Sequence, residues 1–189
     1  MRFQAARICA RCCALSIGVW LWTANGDSLA SRPLACESGD CQNGRGSLVL
    51  PDQLRYSGEF HGGRFHGEGE LRFPDGSRYR GGFAGDRFEG TGVLEFSNGA
   101  QYAGEFSGGR FHGSGEYSFA SGARYEGEFR ASRFQGYGRL EGNDGSMYEG
   151  EFRAGRKHGR GTLYSPDGVR RVGAFVADRF AGPAPESKL

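Results

Sequence analysis

The stretch Tyr56-Ser57-Gly58-Glu59-Phe60, continued through His61-Gly62-Gly63-Arg64-Phe65-His66-Gly67-Glu68-Gly69 to Glu70-Leu71-Arg72-Phe73-Pro74-Asp75-Gly76, alternates rather than winds. Tyr56, Gly58 and Phe60 fall on one side and Ser57 and Glu59 on the other, the period of a half-buried strand and not that of a helix. A second strand is predicted over Gly69 to Phe73, with Gly69, Leu71 and Phe73 aligned. Asp75-Gly76 then supplies the positive φ that a tight turn requires. The stretch reads as one hairpin, with a long loop between its two strands.

Outward from this stretch the pattern returns every 23 residues without insertion, in units 55–77, 78–100, 101–123, 124–146 and 147–169 and a partial unit from 170. Tyr recurs at 56, 79, 102, 125 and 148, and Phe at 60, 83, 106, 129, 152 and 175. Half a unit precedes the first, since Gly44, Gly46, Leu48, Pro51 and Asp52 align with Gly67, Gly69, Leu71, Pro74 and Asp75. An isolated hairpin is marginal in water, so each unit must pair with the next. The expected fold is all-β: an elongated, twisted antiparallel meander of tandem 23-residue β-hairpin repeats, about twelve strands in all.

Composition agrees. The 189 residues include 35 Gly and 6 Pro, roughly 22 % turn formers against about 12 % in average usage, which is too many for an ordinary globular core and too few for collagen. Charge excludes another class. The formal net of +2 owes its sign to Arg2, Arg7, Arg11 and Arg32; without residues 1–35 the chain is close to neutral. Counterion-driven nucleic-acid binding wants a basic face, so no nucleic acid is expected as partner.

The N-terminus reads as an address. Met1 to Arg11 holds three arginines and no acid, and Cys12 to Trp22 is an uncharged apolar run, as in a secretory signal peptide. Residues 1–30 are read as a cleaved signal, with Ser28-Leu29-Ala30 favoured over Ala24-Asn25-Gly26 as the cleavage site. Residues 31–40 are read as a short linker and cap. The chain is then exported to a periplasmic or extracellular space, the alternative being a membrane anchor through an uncleaved N-terminus. Ser187-Lys188-Leu189 is a competing peroxisomal address. Cys36 and Cys41 remain after cleavage, an even pair that reads as one disulfide on export and as two free thiols in a reducing compartment.

Tyr-x-Gly-x-Phe followed by Gly-Arg-x-x-Gly-x-Gly and a closing Asp-Gly, as in Tyr56 to Gly76, resembles the membrane occupation and recognition nexus (MORN) repeat. The resemblance covers residues 41–182, the repeat domain, leaving 183–189 as a disordered tail. The opening Cys36 to Gly46 is similar to the starts of exported bacterial members. The resemblance implies a twisted antiparallel sheet used as an adaptor in dimers, peptide grooves or membrane-associated assemblies, and the family name ascribes lipid binding to it.

Chemistry finds little purchase. His66, His112 and His158 recur in alternate units, roughly 19 Å apart at the strand spacing, too far to share an ion. Glu59, Glu105, Glu128 and Glu151 repeat in like settings, whereas paired-carboxylate catalysis needs two different ones within about 5 to 10 Å. No enzyme activity, cofactor or metal is expected. Two binding features remain. The aromatic strip Tyr56, Phe60, Tyr79, Phe83, Tyr102, Phe106, Tyr125, Phe129, Tyr148 and Phe152 is a core first and a partner-binding strip where one face is left uncovered. The row Arg64, Arg87, Arg110, Arg133 and Arg156, continued by Arg179, suits anionic lipid headgroups or glycans, although local ion pairing explains it as well. The leading expectation is a non-enzymatic scaffold that binds a protein partner in the cell envelope, with self-association or a membrane surface as further contacts. An intracellular adaptor is the remaining alternative.

Overall fold

The computed structural model describes residues 36–50 and 53–183; the signal-peptide, anchor and peroxisomal readings fall outside them. Fourteen strands form one open antiparallel sheet in strict sequence order. They are β1 (Cys36–Gly39), β2 (Arg45–Val49), β3 (Arg55–His61), β4 (Arg64–Arg72), β5 (Arg78–Ala84), β6 (Arg87–Glu95) and β7 (Gln101–Ser107), then β8 (Arg110–Ser118), β9 (Arg124–Arg130), β10 (Arg133–Glu141), β11 (Met147–Arg153), β12 (Arg156–Tyr164), β13 (Arg170–Val176) and β14 (Arg179–Gly182). At about 4.8 Å per strand the sheet runs for about 62 Å.

The all-β meander is as expected, but the hairpin is built differently. The residues read as a long loop are strand: β4 begins at Arg64, and His61 pairs with Arg64 across a two-residue turn. Gly62 and Gly63 both have positive φ, +58° and +72°, the backbone of a type I′ turn whose twist matches that of the strands. The Asp-Gly connections are wider. Gly76 N–H donates to the Phe73 carbonyl at 3.1 Å and Phe73 N–H to the Ser77 carbonyl at 2.9 Å, a type I turn closed by a left-handed glycine.

Strands β4, β6, β8, β10 and β12 have nine residues against seven in their hairpin partners because each carries a bulge. Gly104 pairs with Gly115 and Glu105 with His112, so Gly113 and Ser114 have no counterpart on β7. Gly113 adopts φ +53° there. The Glu105 carboxylate lies against it and accepts the Ser114 N–H at 2.8 Å. The recurring carboxylates Glu105, Glu128 and Glu151 therefore cap backbone donors at the bulges.

A row of paired glycines crosses the sheet from Gly46 on β2 to Gly173 on β13, one per strand, through pairs such as Gly58 with Gly69 and Gly104 with Gly115. Tyrosine rings lie over it: a Cβ at Gly69 would come within 2.5 Å of the Tyr56 hydroxyl. The side with the rings is called here the inner face. On it Tyr56, Tyr79, Tyr102 and Tyr125 each stack on a phenylalanine of their own hairpin, Tyr102 on Phe111 at 3.8 Å, and meet two others edge-on, for Tyr102 Phe106 and Phe129 at 5.0 Å each; Tyr148 has Lys157 in place of the stacked ring. The core is thus one ribbon of rings and leucines shared by neighbouring units, which ties the stability of each unit to the next.

Candidate functional site

The ten predicted strip residues lie inside this ribbon. Tyr79, Tyr102, Tyr125 and Tyr148 have no exposed surface, Tyr56 has 1 %, and Phe60, Phe83, Phe106, Phe129 and Phe152 have 3–4 %. They support the sheet face from within rather than present open surface. Burial raises the pKa of all five tyrosines, that of Tyr148 to about 12. Their hydroxyls donate to main-chain carbonyls three residues on, as Tyr125 does to Glu128 at 3.0 Å.

The outer face is polar and differs from unit to unit. At the position of Ser57 stand Arg80, Ala103, Glu126, Glu149 and Val172 in turn. Between β1 and β5 this face holds a shallow depression of about 530 Å³ bordered by Arg45, Ser57, Glu68, Glu70 and Arg80. Glu70 is held by Arg72 and by Arg80, the latter at 2.6 Å. Partial burial pushes its carboxyl up, the two guanidinium bonds together pull it down, and it ends below the usual carboxylate range. At the far end of the face Val172 and Val176 are about half exposed, 49 % and 55 %.

The arginine row is where the structure separates two explanations. Arg64, Arg87, Arg110, Arg133, Arg156 and Arg179 each open an even-numbered strand beside a type I′ turn, all exposed. Ion pairs among the described residues use other arginines, such as Arg78 with Glu95 at 2.7 Å and Arg124 with Glu116 at 2.6 Å. Local pairing, the bland account of the row, does not apply to it. Four of the five phenylalanines that follow are no lipid anchors, Phe65 and Phe111 being buried and Phe88 and Phe134 packed against the core, while Phe180 at the last tip is 37 % exposed.

Each hairpin tip is clasped to the hairpin before it, in two alternating ways. Where the earlier hairpin carries His66, His112 or His158, the second turn residue supplies the acceptor: Phe65 N–H donates to Asp86 Oδ1 at 2.9 Å, Phe111 N–H to Ser132 Oγ at 3.2 Å and Lys157 N–H to Asp178 Oδ1 at 2.9 Å. Where it carries Asn43, Glu89 or Gln135, that side chain accepts the N–H of the first turn residue, Gly62, Gly108 or Ala154, at 2.8–3.2 Å. The histidines predicted as poor metal ligands mark one of the two clasp types. His61 and His66 approach to 5.5 Å between ring centroids, and no group of three or more metal-ligating side chains occurs among the described residues. Cys36 and Cys41 form the disulfide, with Cα atoms 5.9 Å apart, at the β1–β2 end.

A family model described as MORN repeat matches five tandem stretches, 56–78, 79–101, 102–124, 125–147 and 148–170, more than half of the chain. The chain belongs to the MORN repeat family. Its glycine row and ring ribbon are the structural content of that pattern. No curated protein matches the sequence. Among solved structures, the TCP10c domain of Drosophila melanogaster Sas-4 superposes with a TM-score of 0.37 and 12 % identity over 68 % of this chain and 76 % of that one. The Drosophila SAS-4 TCP domain in complex with a proline-rich motif of Ana2 gives 0.30 and 14 % over 77 % and 96 %. The TCP10 domain of Danio rerio CPAP gives 0.29 and 18 % over 69 % and 66 %. These scores are too low for a shared fold, and nothing about this chain follows from them.

Among the described residues no helix is long and apolar enough to cross a membrane.

Proposed function

We propose that this MORN chain is a non-enzymatic scaffold or adaptor that binds protein, working in the cell envelope or periplasm after export. One observation carries the reading: the inner face repeats closely and the outer face varies. Rings and glycines recur because packing demands them at every unit. Apart from the carboxylates that cap the bulges, the outer positions are released from that demand and change along the sheet, as from Ser57 through Arg80, Ala103 and Glu126 to Val172. A long rigid surface whose side chains change along its length suits recognition of another macromolecule better than chemistry, which needs groups converged on one point. Export rests on the sequence of residues 1–30 and on the Cys36–Cys41 pair.

Crosslinking the native protein in its cells, with identification of the joined peptides, tests the reading. Outer-face residues are expected to join to a protein partner; a chain that joins to no protein refutes it. Self-association belongs to the same reading and is expected through Val172 and Val176, where the outer face turns apolar. The mass of the native chain tests location: a chain beginning at Ser31 with Cys36 and Cys41 oxidised supports export. An intact Met1 with reduced cysteines supports the intracellular adaptor.

A second reading, binding of anionic lipid headgroups or glycans by Arg64, Arg87, Arg110, Arg133 and Arg156, is favoured by the absence of ion pairs along that row among the described residues. Sedimentation with anionic vesicles or glycans across a salt series tests it, since such binding weakens as salt screens it.

A further inference from the structure

The cationic edge is graded. Beside Arg87 stand Asp86 and Glu89, and beside Arg179 stands Asp178. The three tips between them hold Arg110, Arg130, Arg133, Arg153, Arg156 and Lys157, and residues 107–112, 130–135 and 153–158 contain no carboxylate of their own; from the neighbouring hairpins Glu89 accepts the Gly108 N–H and Asp178 the Lys157 N–H. The five arginines are exposed and make no ion pair among the described residues. Lys157 stands behind them, its ammonium 5.0 Å from the centre of the Tyr148 ring. Arg130 is the register partner of Arg133, and Arg153 of Arg156. Like charges directly opposed across a turn destabilise a hairpin. Here two such pairs sit side by side with no carboxylate between them.

Spacing selects the ligand. Equivalent positions on neighbouring tips are two strands, about 9.6 Å, apart. A polyproline II helix has three residues per turn and rises about 3.1 Å per residue, so acids at every third position recur on one side at about 9.3 Å. A β-strand repeats its side at about 6.8 Å and an α-helix turns in about 5.4 Å, both out of step with the tips. A membrane fits less well. The turns are Gly108-Gly109, Ala131-Ser132 and Ala154-Gly155, with no large apolar side chain to enter a bilayer interface. We infer that the tips from Arg110 to Arg156 bind an extended acidic segment of a protein partner in the polyproline II conformation, with Asp or Glu at every third residue. Each tip presents guanidinium forks that take a carboxylate by two parallel bonds. The inference rests on the protein-binding reading above and specifies the partner's chemistry.

The test uses the full chain and two labelled peptides, one of repeating Glu-Pro-Pro triplets and an isomer of equal composition with its glutamates contiguous. By fluorescence anisotropy at low salt the triplet peptide binds at least about tenfold more tightly, and salt weakens it. The pair Arg133→Gln and Arg156→Gln lowers that affinity by at least about tenfold, while Arg55→Gln with Arg170→Gln, at the opposite ends of the hairpins, leaves it unchanged. Equal binding of the two peptides, binding of neither, or binding insensitive to the first pair overturns the inference. So does binding to phosphatidylserine vesicles with none to the triplet peptide. A partner crosslinked elsewhere on the outer face, with no peptide binding, sinks this inference and leaves the scaffold reading standing.

Discussion

The Tyr102 hydroxyl donates to the Glu105 carbonyl oxygen at 2.8 Å, three residues along its own strand, and so reaches across the glycine row to the bulge on the other side. Tyr56, Tyr79, Tyr125 and Tyr148 repeat the bond at 2.8–3.1 Å. Tyr102→Phe keeps the ring and leaves that carbonyl without its hydroxyl donor; the loss is about 1–2 kcal/mol. Tyr102→Ala empties the ribbon where four rings meet and costs about 3–5 kcal/mol. Shifts in the urea midpoint measure both, and a Phe variant as damaged as the Ala variant contradicts the division.

Alkaline pH acts on the same five rings. Burial holds each tyrosine above its ordinary value of 10, Tyr148 at about 12. A folded-state pKa above the unfolded one means that the unfolded chain gives up protons first as pH rises. The contribution is whole below about pH 10 and is lost as pH climbs through the folded values. Unfolding followed by circular dichroism should coincide with phenolate absorbance of these rings; phenolate formation at all five in an intact sheet refutes the assignment.

Three tips hold alanine where glycine belongs. Ala131, Ala154 and Ala177 have φ of +49°, +52° and +48°, a region costing about 1–2 kcal/mol for a residue with a Cβ. Glycine removes that strain and adds about 0.4–1 kcal/mol of unfolded-state entropy. Ala131→Gly should therefore stabilise by about 0.5–1 kcal/mol, read as a raised midpoint in urea. A lowered midpoint contradicts the account.

The alternating clasps make unit order matter. Deleting 78–100 sets Phe65 before the Gly108-Gly109 turn, where its N–H finds no side-chain acceptor and His66 offers none to Gly108. Deleting 101–123 sets Glu89 before Ala131-Ser132, where its carboxylate still meets a turn N–H. Of these two equally long chains the first should be the less stable by about 1–3 kcal/mol, and Gly109→Asp should restore most of the difference. Equal stability argues against the clasps.

Much of this was legible in residues 56–76. Alternation of Tyr56, Gly58 and Phe60 fixed the inner face, and Asp75-Gly76 the wide turn. The tight turn was not, because a glycine in His61 to Gly67 serves a turn, a bulge or a bare strand with the same letter. Ala131-Ser132, a turn of the same kind, carries no glycine at all. The arginines were legible as a row but not as unpaired, since pairing depends on which strands bring charges alongside: Glu95 reaches Arg78, 17 residues away, while Arg87 in the same strand as Glu95 makes no ion pair among the described residues. The strip was legible as apolar; its closure by rings of the next unit is a tertiary fact.

Across the strands that carry the cationic tips, the opposite ends of the hairpins set Glu141, Asp144 and Asp167 against Arg124 and Arg170 and are close to neutral. That half of the molecule is therefore electrically lopsided, with its positive charge gathered along one margin. In the field of a charged body it experiences a torque before it touches anything. It arrives already turned, and fewer collisions are wasted on the wrong side.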